Sequence, residues 1–125
     1  MKEEEINAIN IQLITLIFVL FSSIISIILT YNQKLNIENK KGILSPKNSL
    51  KLTLYNRILV VIVSLVFLYV NIKLYEISKD EGEDLKSYSL QIMASFFAII
   101  SGLIALYVVS LSNTENISDV ENPII

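Results

Sequence analysis

The chain has 125 residues, of which 53% are apolar, and its formal net charge at pH 7 is −2. It contains neither cysteine nor histidine, which excludes disulfides, thiolate nucleophiles, iron–sulfur clusters, S-acylation and imidazole chemistry. The apolar fraction is high for a soluble domain, and the polar remainder is too short to build a second core, so we expect one membrane domain over residues 1–125.

The first and last long apolar stretches each predict a membrane-spanning helix. Residues 6–33 and 87–111 contain no charged side chain. A helix rises about 1.5 Å per residue, so about 20 residues cross a hydrocarbon core about 30 Å thick. The first stretch is too long for a signal peptide and follows the acidic start Met1-Lys2-Glu3-Glu4-Glu5, which indicates a retained helix.

A third span is predicted between these two. Its uncharged part, between Arg57 and Lys73, is only about 22 Å long as a helix. Both basic side chains can extend along the helix to the interface, so residues 53–77 are long enough to cross. The alternative is a re-entrant or surface helix. The predicted fold class is therefore all-α: a polytopic membrane protein with three transmembrane helices in a small bundle, at about residues 8–31, 53–77 and 87–111.

The charges of the connecting segments predict the orientation. A basic loop at residues 32–52 is followed by an acidic turn at 78–86 and an acidic C-terminal tail at 112–125. Six basic residues follow the first span and one, Lys2, precedes it. Because cytoplasmic loops collect Lys and Arg, we expect a multi-pass protein of the cell membrane with the N-terminus outside and the C-terminus in the cytoplasm. Four lysines of the basic loop are candidate contacts for anionic lipids, at about 1 kcal/mol each: Lys40, Lys41, Lys47 and Lys51.

Small and polar residues form a stripe along one face of each predicted helix. At 100° per residue these positions align, and the opposite faces are Leu, Ile, Val and Phe. In lipid, helices associate through small residues and interhelical hydrogen bonds, so the stripes predict the packing faces. The alternative, a polar path through the membrane, would usually include an ionisable residue at mid-depth, and none is present there. The candidate packing residues are Gln12, Thr15, Ser22 and Ser26 in the first helix, Arg57, Ser64 and Asn71 in the second, and Gln91, Ala94, Ala98, Ser101, Gly102 and Ala105 in the third.

Two of the charged positions have a second interpretation. Arg57 is interpreted first as an interfacial anchor, with a functional charge as the alternative. The segment from Asp80 to Asp84 could bind a hard cation, but it lacks the ligand spacing of a calcium loop, and a solvated turn with Gly82 at its bend is the stronger interpretation.

The sequence contains no nucleophile–base pair, phosphate-binding loop or metal cluster. We therefore expect no catalytic residue, no cofactor, no metal and no nucleic-acid partner. The predicted function is that of an accessory, scaffold or immunity-type membrane protein that associates with other membrane helices or with itself. The alternative is a pore-forming protein, because the three-helix topology with an outer N-terminus is similar to that of phage holins. This similarity concerns topology alone, and the acidic tail differs from the basic tail of many holins.

The orientation can be tested with single cysteines, because the chain has none of its own. Lys47→Cys should be protected from a membrane-impermeant thiol reagent in intact cells, whereas Glu83→Cys should be labelled. The reason is that the basic loop is expected inside and the acidic turn outside. The opposite labelling pattern would reverse the orientation.

Overall fold

Three long helices make up the protein over residues 2–111, the part that the computed structural model describes. They are α1 (Lys2–Ile37), α2 (Pro46–Asp80) and α3 (Lys86–Leu111). Each helix is long and apolar enough to cross a membrane. The prediction of an all-α, three-helix membrane bundle is confirmed, and the chain is a multi-pass membrane protein. The acidic tail at 112–125 lies outside the described residues.

The helices extend beyond the predicted spans at the end that carries the basic loop. The loop was predicted over residues 32–52, but α1 continues to Ile37 and α2 begins at Pro46, so only residues 38–45 connect them. The α2 start has a strong local signal: the Ser45 side chain accepts a hydrogen bond from the Asn48 backbone N–H at 3.2 Å, and Pro46 occupies the first turn. After α1, Asn39 adopts a left-handed conformation with φ 59°. The chain therefore reverses its direction within residues 38–45.

The helix α2 lies in the middle of the bundle. Both α1 and α3 pack along it, and they do not pack extensively against each other. Its buried positions therefore serve two neighbours. The short connections make successive helices antiparallel, so α1 and α3 run in the same direction on either side of α2.

Large apolar side chains cover the outside of the bundle. Ile17 and Ile27 are exposed over 66% and 67% of their surface, and Phe97 over 65%. The buried interior is rich in smaller residues, including Ala8, Ser22 and Ala105, and holds a few larger apolar ones such as Leu29 and Ile77. This arrangement is the expected one when the surrounding solvent is lipid, because helices then gain nothing from burying Ile or Phe against each other.

The acidic turn between α2 and α3 is tight, with Gly82 at its bend as predicted. Gly82 has φ +72°, and the Glu83 backbone N–H donates to the Ser78 carbonyl at 2.9 Å. The turn raises the pKa of Glu81 above its ordinary value, chiefly because its carboxyl shares a hydrogen bond with Glu83. Among residues 2–111, no group of three or more acidic side chains is placed to hold a metal ion.

Gly102 allows α3 to approach α2 closely. A Cβ atom at this position would lie 3.1 Å from the Val61 Cγ2 atom. Gly102→Leu should therefore separate the two helices and destabilise the protein by about 1–3 kcal/mol, the usual cost of overpacking. Leu103→Ala is the matched control, because Leu103 is 50% exposed. Thermal unfolding in detergent measures both effects, and equal losses would show that this contact does not limit the packing.

Candidate functional site: an open groove between the outer helices

One asparagine side chain joins α1 to α2 in the interior. Ser22 donates a hydrogen bond from its hydroxyl to Asn56 Oδ1 at 2.6 Å, and Asn56 Nδ2 donates to Ser26 Oγ at 2.9 Å. Asn56 is buried, as is Ser22. Both ends of the amide are therefore satisfied by one helix face, which sets the relative height and rotation of α1 and α2.

A second asparagine holds the same two helices near their connection. Asn32 Nδ2 donates to Ser49 Oγ at 2.9 Å, and Asn32 Oδ1 accepts from the Leu44 backbone N–H at 3.0 Å. Asn32 and Ser49 are both buried. The link at residues 38–45 is thereby tied to the bundle.

A third asparagine joins α2 to α3 near their own turn. Asn71 Nδ2 donates to Ser95 Oγ at 2.8 Å and makes a longer contact of 3.4 Å with the Gln91 carbonyl oxygen. Ser95 in turn donates to the Gln91 carbonyl at 3.0 Å. The polar connection between α2 and α3 thus lies toward one end of the bundle, and the two between α1 and α2 lie toward the other.

An open groove of about 930 Å³ lies between α1 and α3, with α2 as its floor. Its walls are rich in small side chains, and its floor is a mixture of polar and apolar groups. The α1 wall includes Ser22, Ser23, Ser26 and Thr30, the α3 wall is Ala98, Ser101, Gly102 and Ala105, and the floor is Asn56, Arg57, Val60, Val63, Ser64 and Phe67.

The charge of the groove is positive. Arg57 and Lys34 line it, and among the described residues no aspartate or glutamate does. Arg57 is only 5% exposed, whereas Lys34 lies at the exposed end of α1. The groove therefore presents one cation within the bundle and one at its mouth.

The depth of Arg57 follows from its neighbours. Asn56 lies level with Ser22 and Ser26, and Ser26 is about 10 Å along α1 from Gln33, where the uncharged stretch ends. The sequence favoured an interfacial anchor that extends into water. In the structure Arg57 is buried among the helices, and whether it acts as an anchor or as a functional charge stays a prediction.

The predicted packing stripes of α1 and α2 mostly face the interior. Thr15, Ser22, Arg57 and Ser64 are buried, and Gln12, Ser26 and Asn71 are half-buried. The hydroxyls of Thr15 and Ser64 donate to carbonyls of their own helices, Ile11 at 2.7 Å and Val60 at 2.9 Å. These two residues therefore contribute small size rather than interhelical hydrogen bonds.

The stripe of α3 is divided between buried and exposed positions. Gly102 and Ala105 are buried against α2, whereas Gln91, Ala94, Ala98 and Ser101 are exposed. Ser95, which was not among the predicted residues, lies in the buried face instead. Ala98 and Ser101 line the groove, so this part of the stripe faces the space between α1 and α3.

Sequence reasoning missed Asn32 and Asn56. Both were available as signals, because an asparagine within an apolar helix seeks a hydrogen-bonding partner. Asn56 lies directly before Arg57 and one position off the predicted stripe, and Asn32 falls in the segment predicted as loop.

The four lysines predicted to contact anionic lipids lie on the surface. Lys40, Lys41, Lys47 and Lys51 are all exposed. Lys40 is 3.8 Å from a Glu38 carboxylate oxygen, and the Lys51 ammonium lies 6.0 Å from the centre of the Tyr55 ring. Their contact with lipid headgroups stays a prediction.

No protein-family model, curated protein or solved structure matches this chain. The fold and the groove together define its class as a small integral membrane protein with three packed apolar helices.

The contribution of Asn56 to stability can be tested by substitution, with a serine that lines the same groove as the control. Asn56→Ala removes two interhelical hydrogen bonds, and at about 0.6 kcal/mol each in a membrane it should cost about 1 kcal/mol. Ser23→Ala is the control, since the exposed Ser23 hydroxyl donates only to the Val19 carbonyl of its own helix. Unfolding in mixed detergent measures both, and a loss for Ser23→Ala as large as for Asn56→Ala would contradict the role of Asn56.

Proposed function

We propose that the protein is a non-enzymatic accessory or scaffold protein, a class that includes immunity-type proteins, and that its groove receives a helix of another membrane protein. The observation that carries this proposal is the groove between α1 and α3, whose α3 wall is made of small side chains and whose α1 wall is rich in them. Small residues let a neighbouring helix bring its backbone close, which is the main source of attraction between helices in lipid.

The groove is suited to a helix because its walls are held apart on a common support. Asn56 joins α1 to α2, and Asn71 joins α3 to α2. Neither bond connects α1 directly to α3, so the two outer helices stay separate. A fourth helix placed between them would complete a four-helix arrangement, a common solution for packed helices.

The exposed part of the α3 stripe supports the same proposal. Ala98 and Ser101 are small, yet they are not buried against α2. Lipid chains do not require small residues beneath them, whereas a packed helix does. We propose that these positions are covered by the partner helix, with the basic loop of the protein on the cytoplasmic side.

Two serines of α3 test this proposal. Both Ser101 and Ser110 are exposed, but only Ser101 lines the groove. A photo-cross-linking residue at Ser101, expressed at modest level, should form one adduct of discrete mass with a membrane protein. The same photo-cross-linking residue placed at Ser110 should give this adduct in a yield that is at least several-fold lower.

The membrane potential of the same cells should stay constant after induction. An abrupt collapse of the potential, with large heterogeneous rings of purified protein, would support the holin-like alternative and reject the accessory role. Equal cross-linking at Ser101 and Ser110 would reject the groove as the binding surface.

A further inference from the structure

We infer that the acidic tail at residues 112–125 docks on the basic end of its own bundle, formed by residues 34–51, and competes there with anionic lipid headgroups. The inference does not rest on the proposed function, and it leaves the deeper part of the groove, at Ala98 and Ser101, to the partner helix. It follows from three observations: the place where α3 ends, the distribution of charge along the bundle and the charges of the tail.

The helix α3 ends before α1 and α2 do. Gly102 lies against Val61 of α2, and α3 ends nine residues later at Leu111. Because the two helices are antiparallel, this end is level with about residue 52 of α2. In the same direction α2 extends to Pro46 and α1 to Ile37. At about 1.5 Å per residue, the α1–α2 pair therefore extends about 10 Å past the end of α3.

The end of the groove that lies beyond α3 has a wall on one side only. Asn56 is hydrogen-bonded to both Ser22 and Ser26, so α3 ends level with about residue 28 of α1. Beyond that level Tyr31 and Lys34 line the groove from α1, and among the described residues α3 contributes none. Residue 112 is bonded to the end of α3, so the acidic tail starts beside this part of the groove.

The charge of the bundle is divided between its two ends. Among the described residues, the basic end carries five lysines and a single acid, Glu38, whose carboxylate is 3.8 Å from Lys40. The other described acids lie at residues 3–5 and 76–84, at the opposite end. Arg57 is not needed for this contrast, since it already has an interaction of its own. The five lysines are all exposed: Lys34, Lys40, Lys41, Lys47 and Lys51.

The acidic tail carries the complementary charge. Its sequence contains Glu115, Asp119 and Glu121 and no lysine or arginine. A chain spans at most about 3.3–3.6 Å per residue, so Glu115 can lie up to about 13 Å from Leu111, and Glu121 up to about 33 Å. Neighbouring helices are about 8–10 Å apart, so the lysines of the basic end are within reach of these carboxylates.

Attachment to α3 favours docking within one molecule. A short tethered segment is present near its own bundle at an effective concentration in the millimolar range. Four of the five lysines are also the candidate contacts for anionic lipids, and a lipid phosphate has the same sign of charge as the tail. The two therefore compete, and the docked tail lowers the affinity of the basic end for anionic headgroups.

The position of the tail can be measured by resonance energy transfer within the full-length protein. The chain has no cysteine, so dyes can be attached at Asn48→Cys on the basic end and at Ile117→Cys in the tail. In nanodiscs of neutral phosphatidylcholine the dyes should be close at low salt. They should separate at about 1 M salt, where the screening length falls to about 3 Å.

Two triple variants connect this distance to the charge of the tail, because each removes three carboxylates. The tail variant is E115Q, D119N and E121Q, and the control variant, at the opposite end of the bundle, is E81Q, E83Q and D84N. The tail variant should separate the dyes at low salt, and the control variant should leave them close. Equal thermal transitions show that both are folded. A distance that neither the tail variant nor salt changes overturns the docking.

Competition with lipid is measured by native mass spectrometry of the full-length protein in mixed phosphatidylcholine and phosphatidylglycerol. At low salt the tail variant should bind phosphatidylglycerol about fivefold more tightly than the wild type, the effect of about one additional lysine at a lipid surface. The control variant should bind it like the wild type. If the tail variant binds no more tightly than the wild type, or if both variants gain equally, the competition is overturned.

Discussion

The hydrogen bonds of Asn56 to Ser22 and Ser26 are the interaction on which the rest of the bundle depends. Lipid surrounds the helices with an apolar solvent, so burying Leu or Ile between them brings little advantage. Specific geometry must come from hydrogen bonds and from small residues. Asn56 provides both contacts to α1 from a single side chain. Asn71 makes the corresponding connection to α3.

The position of these bonds explains why the bundle is open. The side chains of Asn32, Asn56 and Asn71 each form a hydrogen bond between α2 and one outer helix. Among the described residues, α2 is therefore the shared helix, and these asparagines do not join the outer helices to each other. The close approach at Gly102 brings α3 onto α2 without moving it toward α1. The groove is the space that remains. Its walls are rich in small side chains because the stripes that pack against α2 continue around the helices toward the groove.

Arg57 is a buried charge whose position beside the groove does not follow from stability. A buried arginine seldom adds to stability compared with an apolar residue, because the guanidinium must give up its hydration. Here it follows directly after Asn56 in the sequence, so the bond that aligns α1 with α2 also holds the cation beside the groove. A site of defined depth and charge follows from two adjacent residues.

The sequence alone determined the class of the protein and the number of its helices. Uncharged stretches of this length can satisfy their backbone groups in lipid only as helices, so the three spans required no knowledge of contacts. The faces of α1 and α2 also followed from helical periodicity, as at Ser22 and Ser64. Only the tertiary structure decided that α2 is central, that Ser95 rather than Ala94 faces it, and that Arg57 is buried. These features depend on the rotation and height of each helix against its neighbour. A period of 3.6 residues describes one helix and contains no information about the partner it meets.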